Sequence, residues 1–149
     1  MSEHRVLVKW ERASPDFGYE SYNRDHTWAF DGGVTVKASA APAYRGNPDC
    51  VDPEEALVAA LSSCHMLTFL ALASRKKVIV DAYDDDATGF MTKNAQGKLA
   101  ITRCVLRPLI RFGGSSVPSA DELAKLHDLA HHECFIANSV LTEVTVEPR

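Results

Sequence analysis

An excess of positive charge, a paired-cysteine motif and an apolar leader are all missing from this chain, and each absence excludes something. Its 149 residues carry 16 Lys or Arg against 20 Asp or Glu, a formal net charge of -4. There is no basic field to hold a phosphate backbone, so nucleic acid is not an expected partner. The opening residues, MSEHRVLVKWER, are charged from the third position on and contain no apolar signal core. Nothing there directs export, and a cytoplasmic location is expected. The four cysteines, Cys50, Cys64, Cys104 and Cys134, are too few and too widely spaced for a secreted disulfide scaffold, and none stands in the C-x-x-C spacing of a zinc ribbon. In a reducing compartment such thiols are either inert packing or chemistry. With 46% hydrophobic residues, the chain has material for the core of one domain spanning residues 1–149.

What is present in quantity is one apolar run. From Asp52 to Lys77 the sequence reads DPEEALVAALSSCHMLTFLALASRKK, almost uniformly apolar between Ala56 and Ala73. Asp52 suits an N-cap, Pro53 the first helical position, and Glu54 and Glu55 the positive end of the helix dipole. Glu55 completes a capping box with Asp52, and Arg75, Lys76 and Lys77 stand where cations offset the last carbonyls. The spacing predicts a helix with no polar face, hence one buried on all sides. A membrane span is the rival, since the run approaches the ~20 residues a bilayer needs. Ser62, Ser63, Cys64 and His65 at its centre argue against that. A chain this small has difficulty covering every face of such a helix, which points to a dimer sharing these helices.

Around the run, the chain alternates like strands. Arg5–Trp10 and Tyr19–Phe30 read as strands, and Asp31-Gly32-Gly33 turns into a third at Val34–Ala38, an antiparallel meander. Ala41–Cys50 is a Pro/Gly loop. Val78–Phe90 reads as one strand passing through Asp84, Asp85 and Asp86, whose carboxylates alternate faces as a solvated edge. Leu99–Phe112 returns with Arg103, Arg107 and Arg111 on one face and Cys104 among apolar residues on the other, as inert packing. After the loop 113–118, Ser119 and Glu122 form a capping box for a helix reaching about His132, with Leu123, Leu126, Leu129 and Ala130 as its apolar stripe. Val140–Val146 is the last strand. The order β-β-β-α-β-β-α-β indicates an α+β fold.

Two cysteines are candidates for chemistry. A lone cysteine in an apolar helix is ordinarily packing, but Ser62, Ser63 and His65 around Cys64 are hard to explain that way and form surroundings that favour a thiolate. Cys134 lies in the joint between helix and strand, after His131, His132 and Glu133. The segment is not H-E-x-x-H, because Ile136 stands where the second histidine belongs. A metal site from Cys64, His65, His131 and Cys134 has suitable ligand types without the short paired spacing of structural zinc. A cysteine hydrolase with Cys64 as nucleophile and His131 as base lacks a visible oxyanion site and orienting carboxylate. Cys50, in a loop, reads as incidental.

Taken together, D-P-E-E, the ten-residue step from Glu54 to Cys64 in S-S-C-H, the second cysteine in A-H-H-E-C, and the segments SYNRDHTWAFDGG and VDAYDDDATG resemble the OsmC/Ohr family of thiol peroxidases over nearly the whole chain. The resemblance implies an intertwined α+β homodimer, antiparallel sheets wrapped around central helices. It also implies Cys64 as the peroxidatic and Cys134 as the resolving cysteine, with Glu54 and Arg24 organising the site. Arg45, in the loop before the helix, is the other arginine available. It implies reduction of organic hydroperoxides without metal or prosthetic group, and re-reduction by a dithiol such as protein-bound lipoyl groups. On physical grounds, a guanidinium beside Cys64 would lower the thiol's pKa and polarise the O–O bond, with Glu54 holding the arginine. Ten residues of helix rise about 15 Å, so Glu54 is expected to serve the Cys64 of a partner subunit. The alternative is a non-catalytic binding or stress protein that keeps the dimer and a small apolar pocket.

Overall fold

Side-chain oxygens close the start of the long helix before packing contributes anything. In the computed structural model, which describes residues 1–115 and 117–149, the Glu55 backbone N–H donates to Asp52 Oδ1 at 2.7 Å and the Asp52 N–H to Glu55 Oε2 at 3.3 Å. These bonds satisfy orphan donors at the first turn of α1 (Pro53–Arg75). Ser116 of the loop expected at 113–118 lies outside the described residues. The chain divides into two units, residues 1–56 and 57–149.

The first unit is the expected meander. β1 (Val6–Lys9), β2 (His26–Phe30) and β3 (Thr35–Ala38) pair antiparallel in that order, with Val8 opposite Trp28 and Trp28 opposite Val36. Gly33, at φ 84, supplies the left-handed residue of the hairpin. The strand expected from Tyr19 begins only at His26. The Gly18 carbonyl accepts from both Ser21 N (3.1 Å) and Tyr22 N (3.0 Å), folding this stretch into a turn. Its Tyr22 ring packs with Trp10 and Phe17 instead of lining a sheet, with Phe17 and Tyr22 centroids 5.2 Å apart. The alternation was real, but it served a local cluster. In the loop that follows, a Cβ on Gly46 would fall 1.4 Å from the Ala40 carbonyl oxygen, so only glycine passes there.

In the second unit, the two long strands expected after α1 are each broken in two. β4 (Ile79–Asp85) pairs antiparallel with β7 (Pro108–Gly113) in one sheet. β5 (Thr88–Lys93) pairs antiparallel with β6 (Leu99–Leu106), and β8 (Glu143–Val146) joins β6 in parallel in the other. The corner is organised by Asp85. Its carboxylate accepts from the Arg107 backbone N–H at 2.6 Å and from Ser62 Oγ at 2.5 Å, while the Arg107 guanidinium reaches Thr88 Oγ1 at 3.0 Å. Asp85 is therefore half-buried and structural; of the acidic run, only Asp84 and Asp86 are exposed. Between them the sheets need an acceptor for a backbone N–H that has left the ladder, and Asp85 supplies it.

α2 (Ala120–Glu133) carries the expected capping box, with Ser119 N donating to Glu122 Oε2 at 2.8 Å and Glu122 N to Ser119 Oγ at 3.3 Å. Its buried residues are Leu126, His127 and Ala130, whereas Leu129, assigned to the stripe by its apolarity, is 39% exposed. A histidine took the inward place.

Within the single chain, α1 is covered along one side. Its buried residues are Leu61, His65, Phe69 and Ala73, one per turn, a single stripe. Phe69 and Ala73 pack with Leu126 and Ala130, while Leu61 packs with Cys104 and Leu106. Leu67, on another face, is 62% exposed. The helix is long and apolar enough to cross a membrane by length and composition, as a core helix can also be. Within one chain it is not buried on all sides, because the second unit has two sheets and one further helix to set against it. Phe69 is fully buried in this core. Phe69→Ala is predicted to lose about 3–5 kcal/mol of unfolding free energy in urea titration; a loss under about 1 kcal/mol would contradict its placement.

Candidate functional site

The mid-point of α1 and the C-terminal end of α2 bring two sulfurs together. Cys64 is half-buried on α1, and Cys134 is the C-cap of α2, 1% exposed, its N–H donating to the His131 carbonyl at 3.2 Å. Cys64 is near enough to Cys134 to perturb its titration, and both cysteines are free. Burial first pushes the Cys134 thiol up from its ordinary pKa. The Ala137 N–H opposes this from 3.5 Å, and the contact with Cys64 raises it further. Cys134 thus holds its proton and can donate it toward its neighbour.

The turn after α2 is held rigid by Asn138. Its Nδ2 donates to the His132 carbonyl (2.8 Å) and the Cys134 carbonyl (2.9 Å), and its backbone N–H reaches the same Cys134 oxygen at 3.0 Å. Asn138 and Ala137 were not among the candidates from sequence. An asparagine four residues past a helix end is the signal that would have found the first, since its amide competes for loose carbonyls.

Cys64 opens on a groove of about 600 Å³. Ala60, Leu67, Ala71 and Leu72 of α1 face Phe135 and Ile136 across it, with Arg75 and Glu133 also on its lining. The walls are therefore mostly apolar around a single half-open thiol.

The polar neighbours expected to favour a thiolate at Cys64 are engaged elsewhere. Ser62 Oγ donates to Asp85, Ser63 Oγ to the Ala60 carbonyl at 3.4 Å, and His65 Nε2 meets His127 Nδ1 at 3.1 Å. A helix turns 100° per residue, so adjacency in sequence sent His65 to a different face. No group of three or more His, Cys, Asp or Glu among the described residues is arranged to hold a metal.

Arg24, Arg45 and Glu54 belong to the first unit. Arg24 donates to the Tyr22 (2.6 Å) and Tyr19 (2.7 Å) carbonyls, its guanidinium 3.9 Å from the Tyr22 ring centroid. Asp25 does not pair with it, accepting instead from Ser39 Oγ at 2.8 Å and Asn47 Nδ2 at 3.0 Å. Arg45 forms an ion pair with Glu20. Glu54, half-buried in the first turn of α1, joins neither arginine in an ion pair among the described residues.

Cys104 is fully buried in β6, its thiol pushed up by burial and then by Asp85. Cys50 is half-buried in its loop. Brief alkylation of the native reduced protein with iodoacetamide is accordingly expected to modify Cys64 and Cys50 before Cys104 and Cys134, read by peptide mass mapping; equal labelling of Cys134 would contradict its burial.

No curated protein matches the chain. Among solved structures, an OsmC-like protein of unknown function from Vibrio cholerae superposes with a TM-score of 0.97 at 49% identity, covering 100% of both chains. An organic hydroperoxide resistance protein from Elizabethkingia anophelis gives 0.73 at 15% identity, covering 99% of this chain and 94% of that one. The organic hydroperoxide resistance protein OhrB of Bacillus subtilis gives 0.67 at 13%, covering 99% and 98%. At such identities the last two share the fold. The OsmC-like protein family matches residues 46–149, so the chain belongs to that family.

Proposed function

We propose that the protein is a cysteine-based hydroperoxide reductase, and the observation that carries this reading is the meeting of a groove-facing thiol, Cys64, with a buried one, Cys134. The Cys64 thiolate attacks the peroxide O–O bond, giving a sulfenic acid and an alkoxide that takes up a proton as the alcohol leaves. The Cys134 thiol then attacks the Cys64 sulfur; the S–S bond forms, and the hydroxyl departs as water. An external dithiol, with protein-bound lipoyl groups as the candidate, restores both thiols by exchange. The apolar walls favour organic hydroperoxides over hydrogen peroxide, and three solved structures of this fold bear the name organic hydroperoxide resistance protein. We place the protein in the cytoplasm, where thiols are kept reduced.

A homodimer completes the reading. Ala59, Ser63, Leu67 and Ala71 recur every fourth residue along the exposed side of α1, a face suited to a second copy. α1 is continuous from Pro53 to Arg75, so its rise of about 1.5 Å per residue keeps Glu54 away from the Cys64 of the same helix. Glu54 and an arginine therefore act on the partner's thiol. Arg24 suits this role better than Arg45, because tyrosine rings and carbonyls hold it without neutralising it, whereas Glu20 already occupies Arg45.

Peroxide consumption supported by dihydrolipoamide tests the scheme. Cys64→Ser is expected to abolish turnover of cumene hydroperoxide, and Cys134→Ser to allow one turnover that leaves a dimedone-reactive sulfenate. Arg24→Ala should lower kcat/KM by about 10²-fold, with Arg45→Ala close to the parent. Consumption unchanged in Cys64→Ser would leave a non-catalytic binding protein. In sedimentation, Leu67→Asp should convert a dimer to monomer; a parent that already sediments as a monomer would remove the partner-subunit roles of Glu54 and Arg24.

A further inference from the structure

Beside the two cysteines, a pair of histidines joins α1 to α2. His65, the residue after Cys64, and His127, two turns before Cys134 on the buried side of α2, are 1% and 3% exposed. Their rings are nearly coplanar, 8° apart with centroids 5.4 Å apart, and Nε2 of one meets Nδ1 of the other at 3.1 Å. The geometry is that of one in-plane N–H···N hydrogen bond, which needs a proton on one nitrogen and a lone pair on the other. Phe69 covers His127 with its centroid 4.6 Å away, and Tyr83 backs Phe69 at 5.7 Å. The remaining nitrogens, His65 Nδ1 and His127 Nε2, are buried without partners among the described residues. A proton added to either finds no acceptor, and protonating both rings removes the lone pair between them, setting two N–H groups face to face.

We infer that the His65–His127 pair is an acid-sensitive clamp that positions α1 against α2 for closure of the Cys64–Cys134 disulfide. The inference rests on the bridging step of the proposed reaction, though not on peroxide as its oxidant. Burial is the main cause holding His65 down to about 4, with His127 and His131 adding to it. Burial also lowers His127, against Asp128 of α2 and Asp85 of β4, which pull the other way. Tyr83, on β4, stays protonated, since burial and Asp85 both raise its pKa. The sign follows from linkage. Unfolded or separated histidines take up protons near their ordinary pKa of 6.5, while the clamped pair does not. Its stabilisation is fully present above that value and is lost as pH falls toward about 4.

The test uses the Cys50→Ser protein and dithiodipyridine, a thiol oxidant that works in acid. The first sulfur displaces one thiopyridone, and the second displaces the other as the disulfide closes, so release of the second equivalent times the bridging. At pH 7.5, His127→Leu should close the bridge at least about tenfold more slowly than the parent, and His65→Gln/His127→Asn, which keeps an uncharged hydrogen bond, should recover most of that loss. Between pH 7 and 3.5 the rate of the double variant divided by that of the parent, in which thiol ionisation cancels, should rise severalfold. A flat ratio, or a leucine variant as fast as the parent, overturns the clamp. NMR titration of the parent imidazoles decides independently of whether any variant folds: His65 and His127 must stay uncharged below pH 5, and ordinary titration of both overturns the inference. Clamp-dependent bridging in a protein that leaves hydroperoxide intact would refute the peroxidase reading alone.

Discussion

The placing of Cys64 on α1 near Cys134 at the end of α2 is the constraint on which the rest of the structure depends. Two sulfurs on separate helices meet only if both helices are fixed in rotation and along their axes. α1 is fixed by its stripe of Leu61, His65, Phe69 and Ala73, and α2 by Leu126, His127 and Ala130. The packing is tight where α1 meets the sheet as well: a Cβ on Gly89 would fall 2.5 Å from Val58 Cγ2. Interiors at such density do not deform smoothly, so a small slip of either helix would separate the pair. The turn after α2, closed by Asn138 on the carbonyls of His132 and Cys134, then holds the second sulfur at the helix end.

Burial separates the roles of the two sulfurs. One stands at the edge of an apolar groove, while the other is sealed and keeps its proton because its thiolate would be poorly solvated. That asymmetry suits a reaction in which one thiol meets the oxidant and the second arrives from inside.

The parts of this arrangement governed by local chemistry were legible in the sequence. Asp52 with Glu55 and Ser119 with Glu122 announce both helix starts, because a side-chain oxygen satisfies a backbone N–H only a few residues away. The fold family was legible too, through S-S-C-H and A-H-H-E-C. What escaped was set by distant partners. Asp85 breaks two expected strands by bonding Ser62 and the Arg107 backbone, and no period in the sequence encodes that corner. His127 replaced Leu129 inside α2 because a buried histidine opposite it offered a hydrogen bond, which hydropathy does not register. Ser62 and His65 flank Cys64 in sequence yet point to other faces and other partners, while Ser63, on the groove with Cys64, bonds the Ala60 carbonyl.

The most direct measurement is the covalent product of one equivalent of organic hydroperoxide added to the reduced protein, read by intact mass and peptide mapping. The account predicts a loss of two hydrogens and one intramolecular bridge between the peptides holding Cys64 and Cys134, with Cys50 and Cys104 still alkylatable. An unchanged mass, or a bridge that includes Cys50 or Cys104, would contradict it.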